Sequence, residues 1–402
     1  MRKDLRNIIK NFIGGNILSI LYILIGIITA RVLGPEGKGS LVSALYWPQM
    51  LGWIFNFGLG YSNTLFISKD RKKLREVFSN SLFLSFFAGI IAIIIGYLLV
   101  PFLIKENNIK YIVKIGLLSI PFSILGDYLI WILNGMENYA LFNLIRIAHP
   151  AFYLVLLLIF LKNLNVINAF IFSLFSSIVI TLILCIFFLK KLHFKLSINL
   201  KLLFESLKYG LQSHLTHFAI LGNKRADQGI LIALVSPSLI AFYSMAVNIS
   251  EMLLQISNAI SLTIIPSIST LEEGEAFKKI KKRIKYSAIF LFLGGLILFF
   301  SAKYIINILY GDKFLPSLLP LRILLPATIF LGISEIIEAG LRGRGKPLYP
   351  SISQIITFFT NVILLIFLVP KLNIIGAAIA SNISYFLLFI IDFIFILTFY
   401  KK

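Results

Sequence analysis

The segment YGLQSHLTHFAILGNKRADQGILIALV, residues Tyr209–Val235, is long enough to cross a membrane yet carries several ionisable side chains. Such groups are costly at membrane depth, so they normally line a cavity, pair with one another or mark a transport path. At about 100° per residue, most of the polar side chains share roughly 100° of helix surface: His214, His217, Lys224, Arg225 and Gln228. Asp227 lies about 60° outside that arc. The pattern predicts a water-facing cationic stripe and the transport of an anionic cargo.

The composition is that of an integral membrane protein. Hydrophobic residues make up 58% and charged residues 14% of the 402 residues, whereas about 25% are charged in soluble domains. The net charge of +21 does not indicate nucleic-acid binding, because most basic residues lie in short loops between hydrophobic spans. The single cysteine, Cys185, excludes an internal disulfide. The basic start MRKDLRNIIK precedes an apolar run that is too long for a signal peptide, so we expect a retained first helix.

Twelve segments contain the roughly 20 apolar residues that cross a bilayer. We therefore expect an all-α integral membrane protein with about twelve transmembrane helices, at 11–33, 40–66, 77–101, 112–134, 139–161, 166–189, 209–235, 239–267, 286–309, 315–340, 348–370 and 374–399. The termini and the loops after even-numbered spans hold about three times as many Lys and Arg as the loops on the other side. Basic loops stay in the cytoplasm. The sequence thus predicts a multi-pass protein of the cell (inner) membrane with cytoplasmic N- and C-termini.

A weak repeat relates the two halves of the chain. LGPEGKGSLVSALYWPQML (33–51) matches LVSPSLIAFYSMAVNISEML (234–253) at an offset of 202 residues, which places Pro35 on Pro237 and Asn56 on Asn258. Parallel repeats of this kind are a transporter architecture with the substrate between the halves. We expect two six-helix bundles, residues 1–195 and 196–402, with pseudo-twofold symmetry around a central cavity.

Polar stripes on spans two and eight are predicted to line this cavity. Gln49 and Asn56 share one face of span two, and Glu251 and Asn258 share one face of span eight. Arg146, two turns into span five, is predicted to lie at the cytoplasmic entrance. There it either binds a lipid head group or extends to the interface.

Five segments, spread over nearly the whole chain, share their order and spacing with one family of membrane proteins: ARVLGPEGKGSL (30–41), RADQGILIALVSPSLIAFYSMA (225–246), LYGDKFLPSLLPLRILLPA (309–327), GRGKP (343–347) and IIGAAIASNISY (374–385). They resemble the polysaccharide-biosynthesis flippases, the O-antigen-type lipid-linked oligosaccharide exporters of the multidrug/oligosaccharidyl-lipid/polysaccharide superfamily. One departure is the loop 236–238, which is shorter and more neutral than the acidic loop expected at this position.

The resemblance implies two bundles that alternate between inward-open and outward-open states. The cargo would be a polyprenyl-pyrophosphate-linked oligosaccharide, turned from the cytoplasmic to the outer leaflet for assembly of a cell-surface polysaccharide. Polysaccharide polymerase and glycosyltransferases are the implied protein partners. No cofactor is expected beyond coupling to an H⁺ or Na⁺ gradient.

Lys224 and Arg225 are the main candidates for binding the cargo, since Lys offers pyrophosphate a point charge and Arg a fork of donors. The alternative is local pairing of Lys224 with Asp227, three residues away. His214 and His217 either take up protons or pack as polar side chains near the cytoplasmic mouth. They do not predict a metal site, because no third ligand is close in sequence.

The acidic residues are predicted mainly to pair with nearby cations. Glu251 is predicted to neutralise Lys224 or Arg225 from the next span; alternatively, Glu251 and Asp227 are the ion-coupling residues. Glu338 is expected to pair with Arg342, four residues later. Three other carboxylates are expected to pair with loop lysines: Asp127, Glu335 and Asp392. The basic stretch KKIKKRIK (278–285) is predicted to attract anionic membrane lipids.

Two other functions remain open. A cation-expelling multidrug antiporter of the same superfamily should carry carboxylates in its N-terminal cavity, yet spans one to three contain none. A non-transporting membrane scaffold of a glycan-assembly complex would tolerate alanine in the polar stripes. An enzyme is not expected, because the loops are short and contain no acidic metal motif, nucleophile constellation or phosphate-binding glycine loop.

Overall fold

The computed structural model describes residues 2–104, 106–268 and 271–400, which contain α-helices and no strand. The helices are α1 (Arg2–Ile54), α2 (Leu59–Lys69), α3 (Leu74–Leu103), α4 (Asn107–Leu117), α5 (Ile120–Gly135), α6 (Tyr139–Ile159), α7 (Val166–Lys191), α8 (Leu200–Leu234), α9 (Pro237–Ser250), α10 (Leu254–Ile268), α11 (Glu273–Tyr310), α12 (Leu318–Gly343) and α13 (Leu348–Tyr400). Short 3₁₀ turns lie at Arg71–Lys73, Leu161–Asn163, Glu251–Leu253 and Asp312–Ser317.

Two of the helices contain a break that divides them into two membrane-length parts. In α1 the break is at Gly34, where φ is 67°, and in α13 it is at Asn373, where φ is 50°. Glycine and asparagine are the residues that tolerate this left-handed region best. The four parts correspond to predicted spans one, two, eleven and twelve.

The all-α membrane fold is confirmed. In the part of the chain that the structure describes, eight helices are long and apolar enough to cross a membrane, and the bent pair α4–α5 makes a ninth span. Counting α1 and α13 as two spans each gives eleven. Helix α8, which carries the charges of the segment 209–235, completes the twelve expected spans.

The second span is not the single helix that was predicted over 40–66. The chain leaves α1 after Ile54, takes positive φ at Phe57 and Gly58, and resumes as α2 at Leu59. A Cβ atom on Gly58 would lie 2.3 Å from the carbonyl oxygen of Gly210 in α8. The bare glycine therefore permits α8 to approach at this point, and the residues from 49 to 63 do not form one continuous face.

The eighth span, predicted as one helix over 239–267, contains a 3₁₀ turn between two α-helical parts. Helix α9 ends at Ser250, and the turn Glu251–Leu253 precedes α10. The Ser250 hydroxyl donates to the carbonyl of Val247 at 2.9 Å, a local bond that competes with the helix ladder. Glu251 and Asn258 consequently lie on different elements rather than on one helical face.

The chain divides into two compact units, residues 1–215 and 216–402. The predicted boundary at residue 195 lies in the connection between α7 and α8, whereas the division of the structure lies inside α8. In the first unit the apolar core surrounds α5 and includes Phe78, Leu129, Leu133 and Phe188.

In the second unit α12 packs against α9, α10, α11 and α13. Its core includes Leu254, Leu331, Tyr385 and Leu388. Large apolar side chains such as Phe300 remain 72% exposed on the outer helices, as expected for surfaces that face lipid.

Candidate functional site: paired charges on α8

The membrane-embedded cations of α8 point to different neighbours in the second unit. Lys224 donates from Nζ to Glu335 Oε1 on α12 at 2.7 Å. Arg225 donates from Nη2 to Glu251 Oε2, in the turn between α9 and α10, at 3.1 Å. Consecutive residues on a helix project about 100° apart, so the two cations hold two different elements against α8. The predicted role of Glu251 as a counter-charge is confirmed.

Asp227 forms no hydrogen-bonded ion pair with Lys224 among the described residues and has its own hydrogen-bond donors. It is 3% exposed, and the hydroxyl of Tyr243 on α9 donates to its Oδ2 at 2.6 Å. The backbone N–H of Gln228 donates to Oδ1 at 2.7 Å. Local pairing of Lys224 with Asp227 is therefore wrong, because Asp227 faces α9 while Lys224 reaches α12.

The charges of the two ion pairs cancel. Lys224 is paired with Glu335 and Arg225 with Glu251, so each of these cations has a carboxylate opposite it. The four side chains nevertheless keep between 17% and 32% of their surface exposed. Both pairs are thus accessible to water and to a competing anion.

A buried polar network extends from the residue before Lys224, and sequence reasoning missed it. The Asn223 amide donates to Gln354 Oε1 on α13 at 2.8 Å. The backbone carbonyl oxygen of Asn223 accepts a hydrogen bond from the hydroxyl of Tyr385 at 3.1 Å and another from the side-chain amide of Asn361 at 3.2 Å. Gln354 and Asn361 are seven residues apart on one helical face, a spacing that could have revealed them.

This network continues into α12. Gln354 donates from Nε2 to Glu338 Oε1 at 2.6 Å, and Glu338 also pairs with Arg342. The predicted pair of Glu338 with Arg342 is confirmed. In a bilayer, polar groups of this kind are stabilised by bonding to one another.

Three carboxylates do not pair with loop lysines, contrary to expectation. Glu335 binds Lys224, and Asp127 accepts hydrogen bonds from Asn56 at 2.8 Å and from Trp131 at 3.2 Å. Asp392 is fully buried and pairs with no cation among the described residues. All three side chains point into a helix bundle, where loop lysines do not reach.

The two histidines differ in their surroundings. His214 Nε2 lies 3.2 Å from the carbonyl oxygen of Ile54, and its ring lies 5.1 Å from that of Trp53. These contacts belong to the first unit and favour the packing interpretation of His214. His217, in the second unit, is exposed.

The remaining predicted residues belong to both units. The Arg146 guanidinium lies 5.1 Å from the ring centre of Phe142 and is only partly exposed. Asn56 is buried and uses its amide to bond Asp127. Three others range from partly to fully exposed: Gln49, Gln228 and Asn258. Among the described residues, no cluster of His, Cys, Asp or Glu is arranged to hold a metal ion.

Comparison with known proteins places the chain in a family. Residues 5–272 match the model of the family described as polysaccharide biosynthesis protein. A Shigella flexneri protein named "Putative O-antigen transporter" is 24% identical, with 94% of each chain covered. An uncharacterized membrane protein of Methanocaldococcus jannaschii is 27% identical over 66% of this chain and 55% of its own length.

Solved structures share the fold. The lipid II flippase MurJ in an inward closed conformation has a TM-score of 0.81 at 18% identity, covering 98% of this chain and 88% of its own. An inward-facing multidrug transporter of the MATE family and MOP superfamily has a TM-score of 0.77 at 18% identity, covering 96% and 94%. The chain belongs to the polysaccharide biosynthesis protein family.

Proposed function

We propose that this protein is a flippase that moves a polyprenyl-pyrophosphate-linked oligosaccharide from the cytoplasmic to the outer leaflet by alternating access. The family and the Shigella relative support a role in cell-surface polysaccharide assembly. The observation that carries the proposal is the pair of basic residues, Lys224 and Arg225, held part-exposed within a membrane-embedded bundle.

The ion pairs hold these cations in positions where a pyrophosphate can displace the carboxylates and bind. Without cargo, Glu335 and Glu251 hold the two side chains in place and cancel their charge, which lowers the cost of keeping them in the membrane. A pyrophosphate competes with both carboxylates, since Arg and Lys bind phosphate oxygens at least as well as carboxylate oxygens. Gln228 and His217 are the adjacent polar contacts on α8, and Arg146 is the residue that meets the head group at the entrance.

Cargo binding then changes the state of the acids. Once displaced from Arg225, Glu251 is a carboxylate that has lost its counter-charge within the membrane-embedded bundle, and it takes up a proton or a Na⁺ ion. Asp227, held by Tyr243, is the second coupling residue. Asn258, an exposed amide on α10, adds to the polar lining that the sugar units meet.

The orientation follows from the distribution of basic loops. We place both termini in the cytoplasm and the protein in the inner membrane, with polysaccharide polymerase and glycosyltransferases as partners. The exposed lysines of the segment 278–285, on the cytoplasmic side of α11, contact anionic lipids.

Export in a deletion strain complemented with single variants tests the proposal. Lys224→Ala and Arg225→Ala should each lower surface glycan and raise the pool of lipid-linked precursor, at unchanged protein level. Lys313→Ala, which removes an exposed cation of the same unit, is the matched control and should export normally. Wild-type surface glycan in the Lys224→Ala/Arg225→Ala double variant would contradict the proposal, and alanine tolerance throughout would favour a scaffold.

One observation favours a multidrug antiporter as the second candidate. Asp127, partly buried in the first unit, accepts bonds from Asn56 and Trp131, and no basic side chain pairs with it among the described residues. A carboxylate in such a setting suits a cationic drug. Efflux of ethidium that depends on Asp127, with no effect of Lys224→Ala on glycan export, would support this function instead.

A further inference from the structure

Asp392 is an acidic group with no part in the proposed cargo site. It lies on α13 and is 0% exposed, and no cation pairs with either of its carboxyl oxygens among the described residues. The hydroxyls of Ser334 on α12 and Ser353 on α13 are its polar neighbours. The Ser334 hydroxyl is itself fully buried and has no other partner among those residues. An ionised carboxylate in such a place is strongly disfavoured.

The neighbouring acid, Glu338, already uses the available positive charge. Glu338 is 2% exposed, pairs with Arg342 and accepts a hydrogen bond from Gln354 at 2.6 Å. The charged groups that face Asp392 are Glu338 and Arg342, both on α12. Lys224 and Glu335 also act on Glu338. With one cation and two carboxyl groups, the cluster is neutral only if one carboxyl group is protonated.

We propose that Asp392, together with Glu338 and Ser334, forms a proton-binding site of this transporter that is separate from the cargo-binding cations. In the present arrangement Asp392 is the protonated member and Glu338 the ionised one. Release breaks the O–H bond of Asp392 and delivers H⁺ to water, leaving the carboxylate. Because a second uncompensated negative charge is not tolerated in the closed packing, release requires α12 and α13 to separate and admit water.

The site is connected to the cargo residues by hydrogen bonds. Glu338 accepts from Gln354, and Gln354 accepts from Asn223, which precedes Lys224 on α8. A change of charge at Asp392 or Glu338 therefore alters the hydrogen bonds between α13 and α8 next to Lys224 and Arg225. This inference depends on the protein being a transporter, and not on the identity of the cargo.

Infrared spectroscopy of the full-length protein in liposomes, without cargo, tests the protonation directly. The wild type at neutral pH should show the carbonyl band of a protonated carboxylic acid, and Asp392→Asn should lose that band. Glu251→Gln, which removes an ion-paired carboxylate, is the matched control and should leave the band unchanged. Ser334→Ala retains the acid but removes the adjacent hydroxyl, so it should shift the band. Identical carbonyl bands in wild type and Asp392→Asn, or no shift in Ser334→Ala, would overturn the assignment.

Proton flux tests the coupling role. Proteoliposomes that enclose a pH-sensitive dye are given farnesyl pyrophosphate as the probe. The wild type should move protons, and Asp392→Asn should do so at least about tenfold more slowly while binding the probe normally. Equal flux in both proteins, or none in the wild type, would contradict coupling through Asp392. Failure of the probe to bind would instead count against the proposed cargo, and the infrared experiment would still test the protonation of Asp392.

Discussion

The ammonium nitrogen of Lys224 lies 2.7 Å from the carboxylate oxygen of Glu335, a residue 111 positions further along the chain. The partner holds the lysine in position and also competes with any anion for it. Glu335→Gln should therefore tighten the binding of farnesyl pyrophosphate about fivefold, equal to about 1 kcal/mol. Titration of the purified protein measures the change, and Glu272→Gln, an exposed acid of the same unit, is the control. Unchanged or weaker binding in Glu335→Gln would show that the carboxylate does not compete.

The break in the second span depends on Gly58. Its φ of 67° and the 2.3 Å distance from an added Cβ atom to the Gly210 oxygen both oppose any side chain. Gly58→Ala should lower the free energy of unfolding by about 2–4 kcal/mol. Thermal unfolding in detergent measures this loss.

Gly26→Ala is the matched control for Gly58→Ala. An added Cβ atom at Gly26, in α1, meets nothing within 4 Å. The substitution should leave stability unchanged or raise it by up to about 1 kcal/mol, because alanine is the better helix former. Equal effects of the two substitutions would mean that the approach of α8 to Gly58 is not a constraint.

The hydroxyl of Tyr243 stabilises buried Asp227 through the 2.6 Å hydrogen bond between them. Tyr243→Phe leaves Oδ2 of that carboxylate without its donor, so it should cost about 1–3 kcal/mol of unfolding free energy. Tyr153→Phe provides the comparison, because the Tyr153 hydroxyl is buried without a partner among the described residues. Thermal melts should show a loss of stability for Tyr243→Phe and none for Tyr153→Phe. A similar loss of stability in both variants would show that the hydrogen bond to Asp227 is not the cause.

His214 is expected to act by packing, since its ring contacts Trp53 and the Ile54 carbonyl. His214→Phe keeps an aromatic ring in that space and cannot titrate. Glycan export by this variant should match the wild type between about pH 6 and pH 8, the range in which imidazole changes charge. Lower glycan export by His214→Phe, with a changed pH dependence, would show that His214 carries protons.

The helical membrane fold could be predicted because hydrophobic length alone determines where a helix can cross a bilayer. The interruptions could not be predicted so directly. Gly58 is one of 26 glycines, and only the approach of Gly210, far away in sequence, makes its conformation necessary.

The candidate site was predicted in part. Lys224 and Arg225 could be found because charges are rare in apolar spans, and Glu251 could be proposed as a partner because it lies on the adjacent span. Glu335 was assigned to loop lysines because sequence reasoning considers near neighbours, whereas helix packing brings α12 against α8. The network around Asn223 was not predicted, because the sequence near a single amide does not show which distant residues will bond to it.

The central claim is that Lys224 and Arg225 receive the pyrophosphate of the cargo, and binding of farnesyl pyrophosphate to the purified protein tests it most directly. Saturable binding is expected for the wild type and for Lys313→Ala, with farnesol binding far more weakly. In Lys224→Gln/Arg225→Gln the dissociation constant should rise at least about tenfold, equal to about 1.4 kcal/mol. The same dissociation constant in the wild type and in this double variant would contradict the claim.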